Sequence, residues 1–182
     1  MVMLGRQGAG KGTQCVRLSR HYVVPHISTG DMLRAAVASG SPLGQRVEAV
    51  LASGKLVDDE TMADVVRERL SQGDTAEGFL LDGYPRTFPQ AETLTEILDK
   101  RGDELDDVFL IEAPTAVLVE RALARGREDD REEIVRERLE VYRRQTEPLV
   151  AVYDRAGILR RIDGNQTIEE VEEQILATAR VG

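Results

Sequence analysis

Apolar residues in this chain fall into short runs separated by longer amphipathic stretches. Residues 1–4 (MVML) are continuously apolar and stop at Gly5, which predicts a buried parallel strand. Residues 78–83 (GFLLDG) read the same way, 106–114 (DDVFLIEAP) and 158–163 (ILRRID) read as further strands, and 25–28 opens as a short extended piece. Helical stretches fill the gaps. The first, 13–21, follows a glycine loop. The second takes Ser28 or Thr29 as N-cap and ends at Gly40. The third, 41–54, has Pro42 in its first turn and Gly54 past its end. Then come 58–72, capped by Asp58 or Asp59, 87–102 with Pro89 in its first turn, and 115–126 closed by Gly126. A long stretch, 129–157, is bent or interrupted before Pro148, and 167–180 is the last helix. Strands alternate with helices, so the expected class is α/β, a parallel sheet covered on both faces. Residues 28–57 carry two helices and no central strand, as an inserted flap would.

Composition narrows this picture. At 182 residues, 41% hydrophobic, the chain suits one domain with a real core. No apolar run approaches the ~18 residues of a membrane span. No basic segment precedes a cleavable apolar stretch, so no signal peptide is expected. The single Cys15 excludes an internal disulfide and is expected to exclude any cysteine-based zinc site. A cytoplasmic protein is expected. A net charge of −9 argues against general nucleic-acid binding. The cations are 21 Arg against 3 Lys, either from base composition or because Arg forks suit phosphate.

Candidate chemistry sits in four places. In GRQGAGKGTQ, residues 5–14, a glycine loop joins a strand to a helix. Such a loop aims backbone N–H groups and a helix N-terminus at phosphates, and Lys11 would reach the terminal ones. Thr13 can bond a phosphate oxygen or help hold magnesium. In FLLDG, Asp82 ends a buried strand at the edge where parallel sheets bind ligands, and would orient magnesium through water. Gly83 follows it, so the water-activating carboxylate of many hydrolytic ATPases is missing, which favours transfer to an acceptor other than water. In GYPRT, Arg86 is placed to clamp a second phosphate. Further on, Arg121 and Arg125 share a helix face, Arg127 lies in a loop, and Arg138 interrupts the apolar face of Ile134, Val135, Val141 and Tyr142. Arg34 is set similarly in MLRAAV.

Taken in order, GAGKGTQ, ISTGDMLR, GKLVDDE, GFLLDGYPRTFPQAE and VYRRQTEPLVAVY resemble the adenylate kinases over the whole chain. The resemblance implies a P-loop kinase fold with a five-stranded parallel sheet flanked by helices. It divides the chain into core (1–27), AMP-binding flap (28–57), core (58–123), short lid (124–130) and core (131–182). It implies the reaction of MgATP with AMP to give two ADP, with Mg2+ the only metal and no structural zinc. Gly8, Ala9, Gly10, Lys11, Gly12 and Thr13 would hold ATP phosphates, with Arg121 stacked on the ATP adenine, Arg125 on its phosphates and Gln166 contacting the adenine by its carbonyl. Thr29, Arg34, Lys55, Leu56, Val57, Gly83, Tyr84, Pro85, Arg86 and Gln90 would bind AMP, Gln90 reading the adenine. Lys11, Arg86, Arg127 and Arg138 would be the catalytic charges, Arg127 and Arg138 bridging to AMP. A monomer is expected, since flaps need room, with no nucleic-acid or membrane partner.

Two features depart from the family. The lid, GREDD, lacks the thirty or so residues of many bacterial members. Arg6-Gln7 stands where the loop usually has Pro at position 7; Gln7 restores an N–H and is expected to loosen the loop. Two other readings stay open at this point, a UMP/CMP-type kinase of the same fold and a non-catalytic nucleotide-binding module. A GTPase-like switch is disfavoured: its Asn-Lys-x-Asp reader is absent, the only Asn being Asn165.

Overall fold

The period-two alternation of a strand buried on both faces organises the whole molecule. A computed structural model describes residues 1–127 and 130–180. In β1 (Val2–Leu4), Val2 and Leu4 face one side of the sheet with Ile27, Leu81, Val108 and Leu110. Met3 faces the other with Leu80, Phe109, Ile111 and Ile162. The sheet is five-stranded and parallel, in the order β2-β3-β1-β4-β5. Its other strands are β2 (His26–Ser28), β3 (Leu80–Asp82), β4 (Val108–Glu112) and β5 (Leu159–Asp163). The expected extended piece is thus an edge strand, paired Ile27 to Leu81 and Ser28 to Asp82. That pairing brings Ser28 and Asp82 side by side at the sheet's carboxyl edge.

Helix boundaries follow the caps. α1 (Lys11–Tyr22) starts two residues before the expected position, so Thr13 lies in its first turn rather than opening it. α2 (Thr29–Ala38) is capped by Ser28, whose side chain accepts from the Asp31 N–H. α3 (Pro42–Ala52) is capped by Ser41, with Pro42 in its first turn. These two helices make the inserted segment, and they touch at Gly44, where a Cβ would lie 2.0 Å from the Ala36 carbonyl oxygen. α4 (Asp59–Leu70) is capped by Asp58 and α5 (Phe88–Arg101) by Thr87. A 3-10 turn, Gly73–Thr75, which the pattern did not predict, leads from α4 toward β3. α6 (Thr115–Arg125) ends at Gly126, φ 71°. The long stretch resolves into α7 (Glu132–Val141), a π-helical turn at Tyr142–Thr146, and α8 (Leu149–Arg155), so the interruption before Pro148 is a widened turn. α9 (Ile168–Thr178) begins with a reciprocal capping box of Thr167 and Glu170. Glu128 and Asp129, within the lid expected over 124–130, lie outside the described residues.

Candidate active site

The carboxyl ends of β1 and β3 open into a cavity of about 800 Å3. Between β1 and α1, Gly8 has φ 84°, and a Cβ there would lie 2.2 Å from the Leu118 carbonyl oxygen. Only glycine lets the loop lie this close to α6. Gly10, φ 96°, makes no side-chain cap, so the first amides of α1 keep their N–H groups for a ligand. Lys11 Nζ donates to the Arg6 carbonyl oxygen at 3.1 Å. Its burial lowers its pKa, Asp82 opposes that, and Arg86 and Arg125 add to it. Burial would raise the Asp82 carboxyl, but His26, Lys11 and Arg86 outweigh this and hold it below its ordinary value. Asp82 is therefore an anion facing a cation.

Around this pair stand the arginines. Arg86 Nε donates to the Gly83 carbonyl oxygen at 2.7 Å, and its backbone N–H donates to Gln90 Oε1 at 2.8 Å. The π-helical turn supports it from behind, Thr146 Oγ1 donating to the Arg86 carbonyl oxygen at 3.0 Å. Burial lowers the Arg86 pKa; Asp82 opposes, while Arg138 and Arg34 lower it further. Arg127 is lowered by burial, then by Arg34 and Arg125. Arg138 Nη2 donates to the Leu51 carbonyl oxygen at 3.3 Å, joining α7 to α3. Arg34 pairs with Asp31, and Arg127 Nη2 lies 3.5 Å from the same carboxylate. Arg121 Nη1 donates to the Gly164 carbonyl oxygen at 2.7 Å. Cations converging in one cavity disfavour one another, and a polyanion would relieve them.

Nearly every sequence-predicted residue lines this cavity: Gly8 to Thr13, Thr29, Arg34, Lys55 to Val57, Asp82, Gly83, Pro85, Arg86, Gln90, Arg121, Arg125, Arg127, Arg138 and Gln166. Tyr84 does not. It is fully buried in the core beneath the site, so its side chain is unable to touch a ligand there. Gln90 lines the cavity but is already engaged, its Nε2 donating to Asp59 Oδ1 at 2.9 Å while Oε1 accepts from Arg86. One amide hydrogen remains for a base.

Sequence reasoning missed the carboxylates that place the arginines. Asp130, almost fully buried, receives Arg125 through both oxygens at 2.6 and 2.9 Å and the Arg127 backbone N–H at 3.1 Å. It also accepts from Gln7 Nε2 at 2.7 Å. Gln7 therefore ties the loop to the short lid, contrary to the expected loosening. Nothing in GREDD distinguishes Asp130 from a solvated acid, because its partners are over a hundred residues away or depend on the local turn.

Comparison with known proteins agrees with this geometry. The family described as adenylate kinase matches residues 3–158. The adenylate kinase of Xanthomonas euvesicatoria pv. vesicatoria is 49% identical over 179 residues, 96% of each chain. That of Parasynechococcus marenigrum is 46% identical over 175 residues, 96% of this chain and 95% of its own. With the glycine loop, the carboxylate at the tip of β3 and the converging arginines already in one cavity, a match of this extent shows that the chain belongs to the adenylate kinase family.

Proposed function

We infer that the chain is an adenylate kinase, a phosphotransferase that reversibly converts ATP and AMP into two ADP. The observation that carries this is the convergence of Lys11, Arg34, Arg86, Arg125, Arg127 and Arg138 on one cavity, where burial first and neighbouring cations second lower the pKa of Lys11, Arg86 and Arg127. Such a site is built for more phosphate than one nucleotide brings.

The donor half of the proposed site is the loop Gly8–Thr13 with Arg121, Arg125 and the Gln166 carbonyl. The acceptor half is Thr29, Arg34, Lys55–Val57, Gly83, Pro85, Arg86 and Gln90. Residues 28–57 act as the acceptor flap and 124–130 as the lid. Arg127 and Arg138 serve both halves. Asp82 and Thr13 offer a carboxylate and a hydroxyl, the hard oxygen donors magnesium takes. They would hold the ion through water, and bound magnesium would neutralise charge on the ATP phosphates.

The rest is positioning. An AMP phosphate oxygen attacks the terminal phosphorus of ATP in line, and no side chain need become covalently bound. Lys11, Arg86, Arg127 and Arg138 hold the charge that develops on the transferring group. Closing flap and lid excludes water, the competing acceptor. The Arg127–Asp31 pair supports this, since it joins the lid segment to α2 of the flap. A coupled assay of ATP with AMP, CMP, UMP and GMP tests the reading. AMP should be preferred by more than tenfold; a preference for UMP or CMP would assign the chain to a pyrimidine kinase, and no ADP from any pair would make it a binding module.

A further inference from the structure

One cluster of ligating side chains reaches from the floor of the nucleotide cavity into the core behind it. Cys15 on α1, His26 on β2 and Asp82 on β3 bring one donor atom each to within 4.8 Å of one another. The topology makes this meeting: β2 and β3 are parallel neighbours, and α1 packs across both. Cys15 is completely buried. His26 Nε2 is also buried, with no hydrogen-bond partner among the described residues, and stands 3.8 Å from Asp82 Oδ2, beyond hydrogen-bond reach. A buried ring nitrogen held short of hydrogen-bond distance from its carboxylate neighbour is costly unless a ligand serves it.

We propose that Cys15, His26 and Asp82 form a site for a borderline-soft divalent cation such as zinc, and that filling it inhibits the enzyme. Thiolate, imidazole and carboxylate are the donors zinc takes, at about 2.0–2.3 Å each. Tetrahedral bonds of that length put donors about 3.5 Å apart, so donors up to 4.8 Å apart must close by up to about 1.3 Å. His26 and Asp82 line the nucleotide cavity while Cys15 lies behind them, so the ion enters through the cavity. Binding displaces the thiol proton to solvent, one H+ per ion. Burial first and Asp82 second push the Cys15 thiol above its ordinary range, and Lys11 opposes them, so the thiol gives up its proton only as the ion arrives. The fourth position is left to water or a phosphate oxygen. The ion would occupy the Asp82 carboxylate and withdraw it from the magnesium side. The absence of further cysteines excludes a cysteine-rich structural zinc centre, but not this mixed set, which needs only one thiol.

Cobalt(II) is a suitable reporter. Cys15 is the only cysteine in the chain, so any thiolate-to-cobalt charge-transfer band in the near ultraviolet must come from it. Titrating nucleotide-free protein should give that band with one-to-one stoichiometry. Zinc should displace it, Cys15→Ala should abolish it, and His26→Gln should weaken cobalt binding at least tenfold. In turnover assays with excess magnesium, zinc should inhibit wild type at a concentration at least tenfold lower than Cys15→Ala, whose uninhibited rate should match wild type. No band at stoichiometric cobalt, or equal zinc sensitivity of wild type and Cys15→Ala, overturns the proposal. The optical result does not depend on turnover, so the proposal, whose inhibitory part rests on Asp82 serving magnesium, fails separately from the assigned reaction.

Discussion

Replacing Gln7 by Ala cuts the one side-chain bond from the phosphate loop to Asp130, while leaving both Arg125 contacts in place. Two terms set the magnitude. A hydrogen bond to a charged acceptor contributes about 1.5–3 kcal/mol net. Against it, Gln7 Oε1 is buried with no partner among the described residues, and deleting it removes part of a penalty of about 1–3 kcal/mol. The difference is a loss of about 1–1.5 kcal/mol, or roughly 5- to 12-fold. It should fall on lid docking. Initial rates at saturating AMP should show the KM for ATP rising by that factor, with no fall in kcat, the signature of lost uniform binding. Gln7→Glu sets a carboxylate against Asp130 and should raise KM further, because the new like charge repels where the amide donated. An ATP KM within twofold of wild type in both variants would refute the latch.

Three other outcomes can be measured independently. Arg86→Ala should lower kcat by about 2–4 kcal/mol of barrier, roughly 30- to 1,000-fold, as for loss of a transition-state donor; a rate within about threefold of wild type would remove it from the clamp. Arg101 is a structural arginine, bonded to the carbonyl of Leu70, to Thr75 Oγ1 at 3.0 Å, to the Thr75 carbonyl oxygen at 2.8 Å and to Asp103 at 2.6 Å. Arg101→Ala should lower stability by about 2–4 kcal/mol and Tm by about 5–15 °C, with substrate KM values unchanged; calorimetry alongside kinetics checks both. Burial pushes Tyr84, Tyr142 and Tyr153 up to about 12. Their folded pKa values exceed the ordinary 10.0, so the unfolded chain loses protons first, and stability is full below pH 10 and falls as pH rises toward 12. Absorbance titration should show these three phenols ionising together with unfolding; stepwise ionisation of a still-folded protein would contradict it.

How much was legible in the sequence depended on the range of the interactions involved. Strand identity was readable because the runs of β1, β3 and β4 are short and largely buried, and the glycines and prolines mark the ends by local backbone preference. The glycine loop was readable for the same reason: Gly8 and Gly10 answer to φ, which is local, although the need at Gly8 is set by Leu118 more than a hundred residues away. The arginines stood out only by type and spacing, and resemblance, not periodicity, assigned them roles. Tyr84 was placed at the AMP site by its motif, and a motif does not say which of its side chains turn into the core, where that of Tyr84 lies. The π-helical turn was visible only as an interruption before Pro148.

The residue pattern alone determined the fold class and the phosphate loop, since these rest on local propensity, burial period and motif spacing, and the family was a resemblance carried by the quoted motifs. Tertiary structure decided which carboxylates hold the arginines, what Gln7 does, and that Cys15, His26 and Asp82 meet. Each of those depends on strand order and helix packing, which bring together residues far apart in the chain, and no local preference encodes such a meeting.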